Sequence, residues 1–308
     1  MEAIRCEQLS RTYGEVQALK PLDLTVPEGV IFGFLGRNGA GKTTTIRLIT
    51  GLAQPTTGAA WVNGLATTQT DGTAKQQFGY LPQEPAFYTW MTPREYLDYS
   101  ARIFRIDSKG RGQRIEELLE LVGLADVAKR PIHGFSGGMK QRLGLAQALI
   151  HRPPVLILDE PMAGMDPAGR RDVIELLDGL RGQVTVFFSS HILADVDRVC
   201  DQIAILHEGE LLLVADRAEL LARYATNAIF LELAHESRDR QDELAARLQA
   251  EAWVTGVLVE NSGLRLVVTD TAVARQSLLP LLVQQGVVLN KYEWIRPSLE
   301  DVFLAISS

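Results

Sequence analysis

Gly36-Arg37-Asn38-Gly39-Ala40-Gly41-Lys42-Thr43 reads G-x-x-x-x-G-K-[ST], a spacing suited to gripping a polyphosphate. Glycines let the backbone wrap an anion closely, and successive N–H groups then point at it. A helix starting at Lys42 adds the partial positive charge of its N-terminus. Lys42 is placed to reach the β- and γ-phosphates, and the Thr43 hydroxyl to ligate Mg²⁺. Nucleotide contacts are therefore expected from Gly36, Asn38, Gly39, Ala40, Gly41, Lys42, Thr43 and Thr44. The rival dinucleotide loop, G-x-G-x-x-G, fails because Thr44 stands where its third glycine belongs.

Two further clusters could act on the same anion. Asp159-Glu160 closes the apolar run Val155 to Leu158. In nucleoside triphosphatases built on such a phosphate loop, an acid there holds Mg²⁺, and Glu160 is placed to polarise or orient the attacking water. Ser136-Gly137-Gly138 opens a helical stretch with Met139, Leu143, Ala146 and Ile150 near one face. Ser136 can cap that helix, and the glycines expose its N–H groups, making a second anion-binding device.

The elements that must hold these groups are legible as periodicity. Val30 to Leu35 and Val184 to Phe188 are continuous apolar runs, as Val155 to Leu158 is, and suit a parallel sheet buried on both faces. Lys42 to Thr50 reads as a helix ending at Gly51. Residues 1–30 read as short strands and turns, and residues 85–150 as mainly helical. Thr92, Pro93 and Glu95 carry the signature of a helix start, and Ile115, Leu118, Leu119 and Val122 that of an amphipathic helix. Ile203 to Leu206 and Leu211 to Val214 read as a hairpin. Beyond residue 220 the order is strand (Ile229 to Leu233), helix (Asp242 to Leu248), two strands (Val254 to Val259, Leu264 to Val268), helix (Ala272 to Gln285) and strand (Val287 to Leu289). That order predicts a small ferredoxin-like α+β domain.

The chain has 308 residues, enough for one large domain and one small one. A net charge of −7 weighs against a dominant nucleic-acid surface, so no nucleic-acid partner is expected. Cys6 and Cys200 stand far apart, which argues against a disulfide framework or zinc site. No targeting leader is read at the N-terminus, and no apolar run approaches the roughly 18 residues that span a bilayer.

Phe135-Ser136-Gly137-Gly138-Met139-Lys140-Gln141-Arg142 resembles the ABC signature, usually written LSGGQ, with Phe135 for its leucine and Met139 for its glutamine. The chain is similar to ABC ATPases continuously over residues 1 to about 220, its motifs falling in the family's order. The resemblance implies Tyr13 as the aromatic that stacks on adenine. It also implies Gln83 as the Q-loop glutamine near metal and water, Ala163-Gly164-Met165-Asp166 as the D-loop, and His191 as the switch histidine. It implies an α/β fold: a P-loop NTPase ABC-type ATPase domain, with a mixed sheet and a helical subdomain over about 85–150, followed by the α+β domain at 221–308. It further implies a head-to-tail pair with a second ABC ATPase subunit, in which Ser136, Gly137 and Gly138 cover the ATP held by the other subunit.

Three features favour transport. The signature follows the phosphate loop by about a hundred residues, there is one ATPase domain, and Arg296 to Leu304 resembles the tail of ATP-binding subunits of bacterial type-2 exporters. The function expected is an ATP-hydrolysing subunit, with ATP and Mg²⁺, at the cytoplasmic face of the membrane, peripheral through an integral-membrane permease. Pro85, Phe87, Tyr88, Trp90 and Met91, within residues 85–110, form the expected dock for it. The alternative from another class is a non-transport ABC ATPase acting on a soluble partner.

Overall fold

A computed structural model describes residues 1–68, 72–223, 228–260 and 263–295, with the side chains of 221–223 left aside. The exporter-like tail, Arg296 to Leu304, lies outside the described residues.

The chain divides into two compact units, Met1–Arg217 and Ala218–Ser308. The first opens with two 12-residue strands, β1 (Glu2–Tyr13) and β2 (Val16–Pro27), paired antiparallel. Short strands and turns were expected here. The pairing contains register shifts, including one between Cys6 and Leu9, and Gln8 takes a positive φ. Such irregularities break the period-two alternation that marks a long strand. Strand β3 (Ile31–Leu35) leads through a loop into α1 (Lys42–Ile49), with Gly51 in the left-handed region just past its end. Strands β4 (Thr57–Val62) and β5 (Leu65–Ala66) complete a sheet of order β2-β1-β4-β5.

Strand β6 (Phe78–Leu81) is followed by a non-helical stretch, then α2 (Pro93–Ile103), α3 (Ser108–Leu121) and α4 (Gly137–Leu149). The capping box at Thr92 and Glu95 forms as expected, with Pro93 in the first turn. Strands β7 (Val155–Leu158), β8 (Thr185–Ser190), β9 (Gln202–His207) and β10 (Glu210–Asp216) alternate with α5 (Pro167–Gly179) and α6 (Leu193–Val199), and α7 (Arg217–Arg223) follows.

The six-stranded sheet has the order β10-β9-β3-β8-β7-β6 and is parallel except for the β9–β10 hairpin. In this register Leu35 stands opposite Ser190, and Leu158 lies between Leu81 and Phe188. The C-terminal ends of β3, β6, β7 and β8 thus come side by side, where ligands bind in open parallel sheets. Phe32, Phe34 and Phe187 from this sheet share a core with Ile4, Leu9 and Leu22 from the antiparallel one and with Ile46 from α1. The rings of Phe32 and Phe187 stack at 5.6 Å. Cys6 and Cys200 are free and buried, and burial pushes the Cys6 thiol up to about 12.

The second unit contains β11 (Ala228–Leu233), α8 (Gln241–Gln249), β12 (Val254–Glu260), β13 (Gly263–Val268), α9 (Thr271–Gln284) and β14 (Leu289–Ile295). Its antiparallel sheet has the order β12-β13-β11-β14, the ferredoxin-like arrangement. The last strand begins later than the apolar pattern at Val287 to Leu289 predicts. It is an edge strand with much of its length exposed, so hydrophobicity marks it poorly.

Candidate functional site

The site begins with a turn only glycine fits. Gly41 has φ +105°, and a Cβ there would stand 2.7 Å from the carbonyl oxygen of Ala18. This conformation sets Gly41 as the N-cap of α1, and no side chain caps the helix. Its first N–H groups are therefore available to an anion. Loop residues Asn38 to Thr44, together with Ala18, Gln83 and Glu160, line a hollow of about 320 Å³.

Lys42 projects into the loop's own curve, with its side chain 6% exposed. Nζ donates to the carbonyl oxygens of Gly36 at 2.7 Å and Arg37 at 3.3 Å, and lies 3.1 Å from Oε1 of Glu160. The other carboxylate oxygen of Glu160 is 2.8 Å from Nδ1 of His191. Nδ1–H of His191 donates to it, leaving Nε2 as the ring's other polar atom. Thus Lys42, Glu160 and His191, from three segments, form one row.

A second row lies beside it. The Thr43 hydroxyl donates to Oδ1 of Asp159 at 3.2 Å, and the Ser189 hydroxyl donates to the same oxygen at 2.8 Å. Ser189 also accepts the backbone N–H of Glu160 at 2.9 Å. Glu160 is held with φ +49°, a left-handed conformation costly for a residue with a side chain. Such strain costs on the order of 1–3 kcal/mol, and it persists where surrounding bonds over-determine it. Here the Ser189 hydroxyl on one side and the Lys42 and His191 contacts on the other do so. Burial, and next the Asp159 charge, push the Tyr80 phenol up.

Not every expected residue converges on this hollow. Gln83 lines it, and its backbone carbonyl accepts from Nε2 of Gln141 on α4 at 2.7 Å. Tyr13, at the end of β1, is 43% exposed and is not among the hollow's lining residues, and the guanidinium of Arg11 sits 4.3 Å above its ring. Ser136 caps α4 by accepting the N–H of Met139 at 3.3 Å, and with Gly137 and Gly138 it stands apart from the hollow. Asp166 likewise stands apart, capping α5 by accepting the N–H of Gly169 at 3.0 Å. Met162 and Met165 are buried packing residues, as their apolar character predicts.

Ser189 and Ala18 are the functional positions missing from the sequence expectations. Ser189 stood in view as the polar end of an apolar strand, Phe188-Ser189-Ser190. Only strand order shows that it reaches both Asp159 and Glu160. Ala18 has no sequence signal, since its part is a backbone carbonyl that forbids a side chain at Gly41.

Comparison with known proteins agrees with this architecture. Residues 19–163 match the family described as ABC transporter, and residues 216–306 match the C-terminal domain described as ATP-binding protein DrrA1-3-like. An ABC transporter ATP-binding protein of Bacillus subtilis (strain 168), YxlF, is 37% identical over 300 residues, covering 97% of this chain and 98% of that protein. The bacitracin transport ATP-binding protein BcrA of Bacillus licheniformis is 35% identical over 305 residues, covering 98% of this chain and 96% of its own. Among solved structures, the ATP-binding subunit of an ABC transporter superimposes with a TM-score of 0.66 at 30% identity, over 72% of this chain and 93% of that one.

Proposed function

The chain belongs to the ABC transporter family as an ATP-binding, ATP-hydrolysing subunit, and on that premise we propose that it powers export through a separate integral-membrane chain by closing a head-to-tail dimer around ATP. In this reading residues 1–220 form the ATPase domain, and residues 221–308 form an accessory domain. The observation that carries it is the row Lys42–Glu160–His191 at the mouth of the phosphate loop, with contacts of 3.1 and 2.8 Å.

The polyphosphate lies on the N–H groups of Asn38 to Thr44, with Lys42 exchanging the Glu160 carboxylate for phosphate oxygens of the same charge. Tyr13 turns its ring to adenine once Arg11 moves off it. Thr43 and Asp159 meet at 3.2 Å and present the hard oxygen donors that Mg²⁺ takes alongside water and phosphate, with Gln83 at the rim. Mg²⁺ bound there would neutralise charge on the phosphates. Glu160, freed from Lys42, accepts a hydrogen bond from the attacking water and holds it in line with the γ-phosphate. His191 steadies that carboxylate through Nδ1 and offers Nε2 to the γ-phosphate. Ser136, Gly137 and Gly138 present the N-terminus of α4, and Asp166 the loop before α5, to the nucleotide of the second subunit. A two-fold axis makes two equal sites.

Transport is supported by the bacitracin transport relative, and export as its direction by the resemblance of Arg296 to Leu304 to the tail of exporter subunits. Among the described residues no helix is long and apolar enough to cross a membrane, and in this reading a second chain supplies the permease. Its dock is the region after Gln83. There Trp90 is 71% exposed and packs on Tyr88, while Phe87 turns inward against Tyr96. Large exposed aromatics of this kind suit an interface.

The test is to trap the Glu160→Gln chain with ATP in its native cell, solubilise the membranes gently and identify what co-purifies. A stoichiometric polytopic membrane protein is expected. A soluble partner, with the ATP-bound dimer intact, would move the protein to the non-transport class.

A further inference from the structure

Beside the site, the first unit keeps two opposite charges short of hydrogen bonds. Asp195, in the first turn of α6, is 7% exposed, and its Oδ2 is buried with no partner among the described residues. Nε of Arg170, on α5, is also buried and without a partner. Buried polar atoms are paired in the great majority of cases, so two orphans of opposite sign on neighbouring helices require a reason.

Their setting supplies one. The chain runs from Glu160 through a short loop into α5, and from His191 through Ile192 into α6. The two helices pack against each other. Arg170 exerts the strongest attraction on the Asp195 carboxylate, ahead of Arg198 on α6 itself and of His191, while Glu160 repels it. Burial outweighs them all and pushes the Asp195 carboxyl up. Glu160, His191 and Asp195 line one narrow cleft. The α5–α6 seam therefore joins the segment after Glu160 to the segment after His191, and its two charges are close enough to act on each other without an ion-pair contact.

We propose that Asp195 is a positioning residue for ATP hydrolysis, its carboxylate pairing with Arg170 across the α5–α6 seam as the site closes on nucleotide and so fixing the His191 loop against Glu160. The inference rests on the assignment of Glu160 and His191 to hydrolysis. A bond made only in the closed state shifts the population toward that state. In this scheme the open nucleotide complex is the populated ground state and closure follows it, so a bond made only on closing raises kcat with little effect on KM. The orphaned charges in the open arrangement are then strain held in reserve, and removing one relieves the fold while disabling the latch. A carboxylate with a merely structural role does the reverse, since its loss lowers stability and turnover together.

The experiment measures steady-state ATP hydrolysis against ATP concentration, together with thermal midpoint, for the full chain. The variants are Asp195→Asn, Arg170→Gln, their combination, and Glu160→Gln as the control. Each single seam variant is expected to lose about tenfold in kcat, with KM unchanged and Tm equal or higher. The double variant is expected to be no slower than either single one, because the two residues act as one bond. Wild-type turnover in Asp195→Asn, additive losses in the double variant, or a fall in turnover that comes only with a fall in Tm overturns the proposal. If Glu160→Gln is inactive while Asp195→Asn is fully active, the latch alone fails. If Glu160→Gln turns over normally, the assignment of the site itself fails.

Discussion

The parallel sheet of the first unit and the antiparallel sheet of the second are built on opposite plans. Strands β3, β7 and β8 are buried at every residue, whereas β11 and β13 alternate buried with half-buried positions. A strand covered on both faces reads as an unbroken apolar run, and its polar residues can stand only at its ends. Asp159, Glu160, Ser189 and His191 all stand at such ends, and strand order brings them together. In the second unit polar residues lie along the strands, facing outward. Its core of Leu231, Leu266, Leu278 and their neighbours lies beneath that outward face. One sheet concentrates chemistry at an edge, while the other disperses polarity over a face.

The sharpest way to break this contrast is at the edge. Glu160→Gln keeps the shape of the side chain and its backbone bond to Ser189. Turnover should fall by about 10²–10⁴-fold, the usual worth of a positioned base, with ATP still bound, while Tm of the nucleotide-free chain should fall because buried Lys42 loses its counter-charge. A stopped assay with a nucleotide-binding titration reads both. Lys42→Ala should remove ATP binding as well. It also leaves a buried carboxylate without its cation, a change that costs about 3–5 kcal/mol where a buried pair is broken. Denaturant unfolding measures that cost, and an unaltered midpoint would show that Lys42 does not compensate Glu160.

Core substitutions probe the other side of the contrast. Leu266→Ala removes a fully buried side chain from β13 and should cost about 2–5 kcal/mol. ATP affinity should stay at the wild-type value, since no residue of the phosphate hollow lies in that unit. A weakened ATP affinity would show that the C-terminal sheet contributes to the site after all. The smallest effect is expected at His151, which stacks on Phe104 at 3.9 Å. Nε2–H of His151 donates to the Phe78 carbonyl, and Nδ1 is buried without a partner among the described residues. Burial holds this imidazole below the usual histidine range. The unfolded chain then takes up a proton that the folded chain refuses. The stability due to neutral His151 is full above pH about 6.5 and drains away as pH falls through the depressed value. Tm measured between neutral pH and mild acid should therefore fall less steeply in His151→Gln, by no more than a few degrees.

How much of this was legible beforehand follows from how local each feature is. The phosphate loop is contiguous, with its strand and its helix on either side, and sequence shows all three. The capping box at Thr92 and Glu95 and the Ser136 cap are equally local. The long N-terminal strands were hidden by their irregular register, and β14 by its exposure at an edge.

By itself the sequence determined which residues are fit for phosphate chemistry, and that buried strands end in them, because loop chemistry and apolar periodicity are properties of neighbours along the chain. Tertiary structure alone decided that β8 lies between β3 and β7. From that one placement come the Ser189 bond to Asp159 across 30 residues of sequence and the His191 contact with Glu160 across 31. The burial of Asp195, and of Nε of Arg170, in the α5–α6 seam was also decided only there. A side chain's environment is set by what the fold brings against it, and no spacing in the chain records that.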